Sequence, residues 1–154
     1  MSDSSHPNDE VQQLFRKHVP EVAAGIVELV AVARESGRLM VAVRSRDSSV
    51  HPVTACVGVR GVRPKSISRE LGGEKVSIVL WSESPENFVL HSLSPYGPAA
   101  VRMPKVALDT ATHQAKVEVD RETLAYFTGE HAVHLRLASQ LVGWDIQLVC
   151  HDQN

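Results

Sequence analysis

Aromatic side chains are scarce in this 154-residue sequence, at 5% of the total. The core must therefore be assembled mainly from Val, Leu, Ile and Ala, and any binding mode that stacks several bases on exposed rings is disfavoured. There are only two cysteines, Cys56 and Cys150, far apart and without metal-like spacing, which predicts buried free thiols rather than a disulfide framework or a zinc site. No run of about 18 apolar residues occurs, so no helical membrane span is expected. The start, MSDSSHPNDE, lacks the basic and apolar regions of a secretory signal, and the expected location is the cytoplasm. Also missing are a G-x-S-x-G elbow, a Walker loop, and paired carboxylates in a cleft-forming context. No catalytic constellation, metal site or cofactor motif can be assembled, so the expectation is a protein that is not an enzyme.

What is present is an ordinary globular composition, 43% hydrophobic and 22% charged, with a formal net charge of -2. Positive charge is nevertheless concentrated. Between Arg34 and Lys75 stand nine basic residues against four acidic ones, a local balance of +5. That half can attract phosphates, or it can be a solvated face balanced by acids elsewhere in three dimensions; charge alone does not choose.

The order of apolar periodicities predicts an α+β chain. After a leader over residues 1–10, expected to be disordered, Val11–Val19 suggests a short helix and Pro20 fits the first turn of another. Ile26–Ala33 and Leu39–Val43 are apolar and β-branched, and Glu35-Ser36-Gly37-Arg38 between them supplies turn chemistry, which predicts a hairpin. His51-Pro52 opens a short helix, Gly58 and Gly61 break it, and Ile67 and Leu71 share a face of the next helix, stopped by Gly72-Gly73. Val76–Trp81 reads as a buried strand and Ser84–Leu93 as a helix, followed by a linker at Pro95, Gly97 and Pro98. Strands at Val101–Leu108 and Ala115–Val119, helices at Arg121–Phe127 (Asp120 as N-cap) and Val133–Val142, and a strand from Trp144 to Leu148 complete the chain. Hairpin, helix, glycine break, helix, strand thus occurs twice. A period of about 70 residues suits two small domains rather than a solenoid. The expected divisions are 11–83, a connecting helix and linker over 84–98, and 99–150.

The first glycine break, Gly58-Val59-Arg60-Gly61, is a G-x-x-G loop placed directly before a helix. Glycines let a backbone approach a polynucleotide, a helix N-terminus offers N–H groups to phosphate, and Arg60, Arg63 and Lys65 add positive charge. Most copies of so short a pattern are simple turns, but the flanking helices and strand fit an RNA clamp. Val32-Ala33-Arg34-Glu35-Ser36-Gly37, Ala55-Cys56-Val57-Gly58-Val59-Arg60-Gly61 and Glu70-Leu71-Gly72-Gly73-Glu74-Lys75 resemble the first KH domain of the NusA family of transcription factors. Leu135-Arg136-Leu137-Ala138 and Gly143-Trp144-Asp145-Ile146 resemble its second. The resemblance implies two tandem type II KH folds, each a small mixed three-stranded sheet with helices on one face. It also implies single-stranded RNA held in the groove beside the first loop, about four nucleotides per domain. Carried over by position, Gly58, Val59, Arg60 and Gly61 would clamp the RNA backbone, with Arg63 and Lys65 near the phosphates.

Two departures bear on this expectation. In the second domain the loop reads Gly129-Glu130-His131-Ala132, where Glu130 would repel phosphate and Ala132 replaces a glycine, so the first domain should dominate. Pro64 stands where the family has an aliphatic residue, and near a helix start it is tolerated. The polymerase-binding and S1 domains of the family do not fit within this sequence, which is then either a fragment or a stand-alone relative; Met1 and the polar leader favour the free-standing form, expected to be a monomer. The leading expectation is single-stranded RNA binding in transcription elongation, termination or antitermination. The alternative is a KH-derived protein-interaction module that docks on RNA polymerase or another factor with little RNA affinity. His131 and His134 form an H-x-x-H pair without a third metal ligand, expected to be exposed histidines; Trp81 and Trp144 are expected to pack rather than stack on bases.

Overall fold

A computed structural model describes residues 7–35, 37–93, 105–129 and 132–150. The first β-branched runs form β1 (Val27–Glu35) and β2 (Arg38–Ser45), which are antiparallel, and β3 (Lys75–Leu80) joins β2 in parallel. Helices α1 (Pro7–His18) and α2 (Pro20–Ala23) precede this sheet, and α3 (Pro52–Val57) and α4 (Val62–Glu70) connect β2 to β3. After α5 (Pro85–Leu93) the plan repeats. Strands β4 (Lys105–Asp109) and β5 (Gln114–Val119) form a hairpin, α6 (Arg121–Thr128) and α7 (Ala132–Val142) cross over, and β6 (Asp145–Cys150) pairs with β5 in parallel. The α+β class and the two mixed three-stranded sheets are those expected.

Local chemistry explains the element ends. His51 accepts a hydrogen bond from the Thr54 amide and Pro52 occupies the first turn of α3; Asp120 accepts from the Thr123 amide at 2.8 Å and starts α6. Helix α1 begins at Pro7, earlier than the expected leader allowed. Asp9 and Glu10 suit its positive end, and Val11 and Phe15, four residues apart, are both fully buried. Its other end is tied down by Lys17 and His18, which bond Glu70 at the end of α4, and Arg34 bridges Glu74 and Glu10. The expected linker at Pro95, Gly97 and Pro98, and residues 101–104 of the expected strand, lie outside the described residues.

The two sheets differ in what covers them. On β2, Leu39, Val41 and Val43 face α1, α3 and α4 in one apolar cluster, together with Val27, Ile67 and Ile78. Met40 and Ala42 point the other way and join Ala33 and Val79 in a second cluster, which includes α5, α7 and the inner face of the second sheet. Helices α5 and α7 therefore lie between the back of the first sheet and the front of the second. Equivalent positions follow from matching backbone bonds, Lys75 N–H to Gly37 O at 2.9 Å and Asp145 N–H to His113 O at 3.0 Å. By this register Met40, Ala42 and Val79 correspond to Lys116, Glu118 and Val149. The back of the second sheet is thus polar and open: Val149 is 39% exposed where Val79 is 0%. Met40→Ala should lower stability by about 2–5 kcal/mol, as cavity-forming changes do. Lys116→Ala should change it by less than about 0.5 kcal/mol, both measured as urea unfolding free energies.

Candidate nucleic-acid interface

The G-x-x-G loop owes its shape to backbone angles that most side chains resist. Gly58 ends α3 at φ 71°, ψ -169°, and Gly61 begins α4 in the left-handed region at φ 70°. Arg60 between them is also left-handed, at φ 54°, a conformation that costs a non-glycine residue roughly 1 kcal/mol or more. The resulting tip projects Val59 and Val62, which are 76% and 52% exposed. Beneath it Cys56 is fully buried, and burial pushes its thiol up to about 12, so it is protonated and inert at neutral pH.

Arg63 supports this loop from below. Its Nη1 donates to Glu21 Oε1 at 3.2 Å and to the Ala55 carbonyl, so the guanidinium turns back into the protein rather than outward to the groove. A Cβ on Gly58 would meet Arg63 Cγ and Cδ at 3.0 Å. The close fit of this side chain under the loop is a second reason for glycine there, beyond its φ.

Pairing sorts the nine basic residues of the first half into two sets. Arg34, Arg44, Arg46 and Arg63 are bonded to carboxylates, those of Glu74 and Glu10, Glu28, Glu28 and Glu21 respectively. The two arginines hold Glu28 below its usual carboxylate range, Arg44 contributing most. Arg38, Arg60, Lys65, Lys75 and Arg69 have no carboxylate partner among the described residues. The first four of these line one open groove of about 620 Å³ beside the loop. Its apolar wall includes Val57, Pro64 and Val76, and its far side is Leu137 and His134 of α7.

Arg60, Gly61 and Lys65, three of the residues expected at the site, thus border this groove. Arg38 and Lys75 were not singled out by the sequence. They stand opposite each other where β2 and β3 begin, so only the strand register brings them together. Gly37, which allows the hairpin turn before Arg38, is the one local signal that could have located them. Pro64 is buried in the first turn of α4, where its missing N–H breaks no interior helical bond.

The second loop is built differently. Gly129 has a negative φ of -105°, the Ala132 amide donates to the Gly129 carbonyl at 3.2 Å, and α7 starts directly at Ala132. Glu130 and His131 lie outside the described residues. The counterparts of Arg38 and Lys75 are Gln114 and Asp145. Arg136, four residues after Ala132 as Lys65 is four after Gly61, is bonded to Glu35 at 2.8 Å. His134, rather than being a free exposed imidazole, donates from Nε2 to the Ser92 carbonyl at 3.0 Å. Trp81 meets Phe88 edge-on with Arg44 over its ring, and Trp144 stacks on His113 at 4.1 Å. Among the described residues no group of three His, Cys, Asp or Glu side chains is placed to hold a metal ion.

The chain is similar to known proteins along most of its length. Residues 5–81 match the NusA-like first KH domain and residues 85–154 the NusA-like second KH domain. The transcription termination/antitermination protein NusA of Rickettsia conorii is 38% identical over 147 residues, and that of Thermus thermophilus 41% identical over 137. These alignments cover 95% and 88% of this chain but only 29% and 34% of the relatives, so the chain spans about a third of their length. The crystal structure of APE1850 shares the fold, with a TM-score of 0.59 at 16% identity over 90% of this chain and 96% of that one.

The loop geometry yields a direct test. Gly58→Ala should cost about 1–3 kcal/mol of stability, the range for a non-glycine residue held in such a backbone region. The penalty should shrink in an Arg63→Ala background, where the clash is gone; a double-mutant cycle of unfolding free energies checks the sign of the coupling. With the glycine loop in the first repeat, its altered copy in the second, and both domain models matched in order, the chain belongs to the NusA-like KH domain family.

Proposed function

We propose that this chain binds single-stranded RNA without catalysing any reaction, through the groove of its first KH domain, and that it does so as a cytoplasmic monomer. One observation carries the proposal: Arg38, Arg60, Lys65 and Lys75 line a single groove at the G-x-x-G loop, none neutralised by a carboxylate among the described residues. A phosphate chain is the ligand that such spacing and sign suit, because unpaired cations on a groove release counterions when a polyanion enters. Gly58, Val59, Arg60 and Gly61 would bring the loop's main chain against the RNA backbone, Lys65 would meet a phosphate from α4, and Arg63 would hold the loop in shape. The second loop, Gly129 to Ala132, would contribute less, given Gln114 and Asp145 at the positions of the first groove's cations. The names of the relatives support a role in transcription termination or antitermination; in that role nascent RNA would be the ligand and RNA polymerase a partner.

A second reading, a module that docks on polymerase with little affinity for RNA, is favoured only by the uncharged or acidic replacements in the second domain. Titration of a short single-stranded RNA across a salt series separates the two. For four phosphate contacts the slope of log K against log salt should be about -3, and Lys65→Ala or Arg60→Ala should each make it shallower by about 0.7. Arg63→Ala should leave the slope unchanged. Absence of binding at low salt would favour the docking module.

A further inference from the structure

We propose that helix α7 of the second domain forms part of the first domain's RNA site, with His134 contacting an unpaired base held in the groove. The proposal rests on the RNA reading above and goes beyond it, because it assigns a ligand contact to a helix that follows the other, altered loop.

Three observations carry it. First, His134 and Leu137 line the same groove as Arg60, Lys65 and Lys75, on the side opposite α4. The groove is therefore lined by both domains. Second, the imidazole is held in place before any ligand arrives. Its Nε2–H donates to Ser92 O at 3.0 Å, and its ring lies 5.6 Å from that of Phe127, inclined by 42°. A ring already fixed loses little conformational freedom on binding, so a contact made there is retained in the affinity. Third, the helix that carries it is anchored to the first domain. Arg136 Nε and Gln140 Nε2 donate to the two carboxylate oxygens of Glu35 at 2.8 and 3.1 Å, and Leu137 and Ala138 pack into the cluster that contains Met40 and Ala42.

The division of labour follows from the lining. The cations lie along the loop, α4 and the start of β3, where they suit phosphates. The apolar surfaces of Val57, Pro64, Val76 and Leu137, with the imidazole at one side, suit the flat face of a base. With aromatic residues so scarce, His134 carries the one aromatic ring among the groove's lining residues.

The experiment uses the full chain and four homopolymeric single-stranded RNAs of equal length, each titrated at several salt concentrations. His134→Ala should weaken at least one RNA about tenfold, within the range for a lost base contact, and change the order or ratio of the four affinities. Its salt slope should stay that of the parent, since no phosphate contact is lost. Lys65→Ala should do the reverse, with a shallower slope and unchanged ratios. His134→Gln, which keeps a donor for Ser92 O without the ring, should behave as His134→Ala, and this variant decides the matter if the alanine variant does not fold. Parent-like binding of all four RNAs by His134→Gln, or a shallower slope, overturns the proposal while leaving the RNA site in place. If the parent binds none of the four, the underlying RNA reading fails instead.

Discussion

Which cations a protein neutralises internally decides where a polyanion can sit on its surface. In this chain the positively charged half is divided by carboxylates. Glu28, Glu21, Glu74 and Glu10 engage Arg44, Arg46, Arg63 and Arg34, and these pairs join neighbouring elements of the first domain. Exposed pairs of this kind add little stability, on the order of 0–1 kcal/mol each, but they remove charge from most of the surface. Among the described residues, what remains without a carboxylate partner at the groove is Arg38, Arg60, Lys65 and Lys75. The whole functional account depends on that residue of uncompensated charge and on the glycine loop that lets a backbone approach it.

The internal duplication acts as a built-in control. Both units have the same strand order and the same parallel pairing after a two-helix crossover, yet the second lacks several elements of the first one's groove. Its basic pair is replaced by Gln114 and Asp145, its second loop glycine by Ala132, and its helix cation, Arg136, is bound by Glu35 of the first unit. Topology alone therefore does not make the binding surface. The second unit also supplies packing: α5 and α7 cover the back of the first sheet, and the far sheet ends the stack with Lys116 and Glu118 where its counterpart has Met40 and Ala42.

Much of this was legible in the residues, for physical reasons that can be named. The element order followed from β-branched runs, from Asp120 at a helix start, and from glycines at Gly58, Gly61 and Gly72, whose φ is positive. The apolar run Leu39–Val43 was legible as a hairpin strand, and the structure buries it on both faces. The sequence could not show what covers the second face, because that surface comes from α5 and α7, more than 40 residues away. The neighbourhood of Arg38 and Lys75 depends on a strand register, and the inward turn of Arg63 depends on Glu21 from another helix, so neither has a local signature. The start of α1 at Pro7 reflects burial of Val11 and Phe15 by the rest of the domain, which a polar, acidic stretch does not announce.

The central claim is that unpaired RNA lies in the groove between the G-x-x-G loop, α4 and the start of β3. Photocrosslinking of a short RNA containing 4-thiouridine to the full chain, with the linked peptides identified by mass spectrometry, addresses it most directly. The account predicts links within residues 57–65 and 75–77. Links confined to the open back of the second sheet, around Lys105 and Lys116, would contradict it.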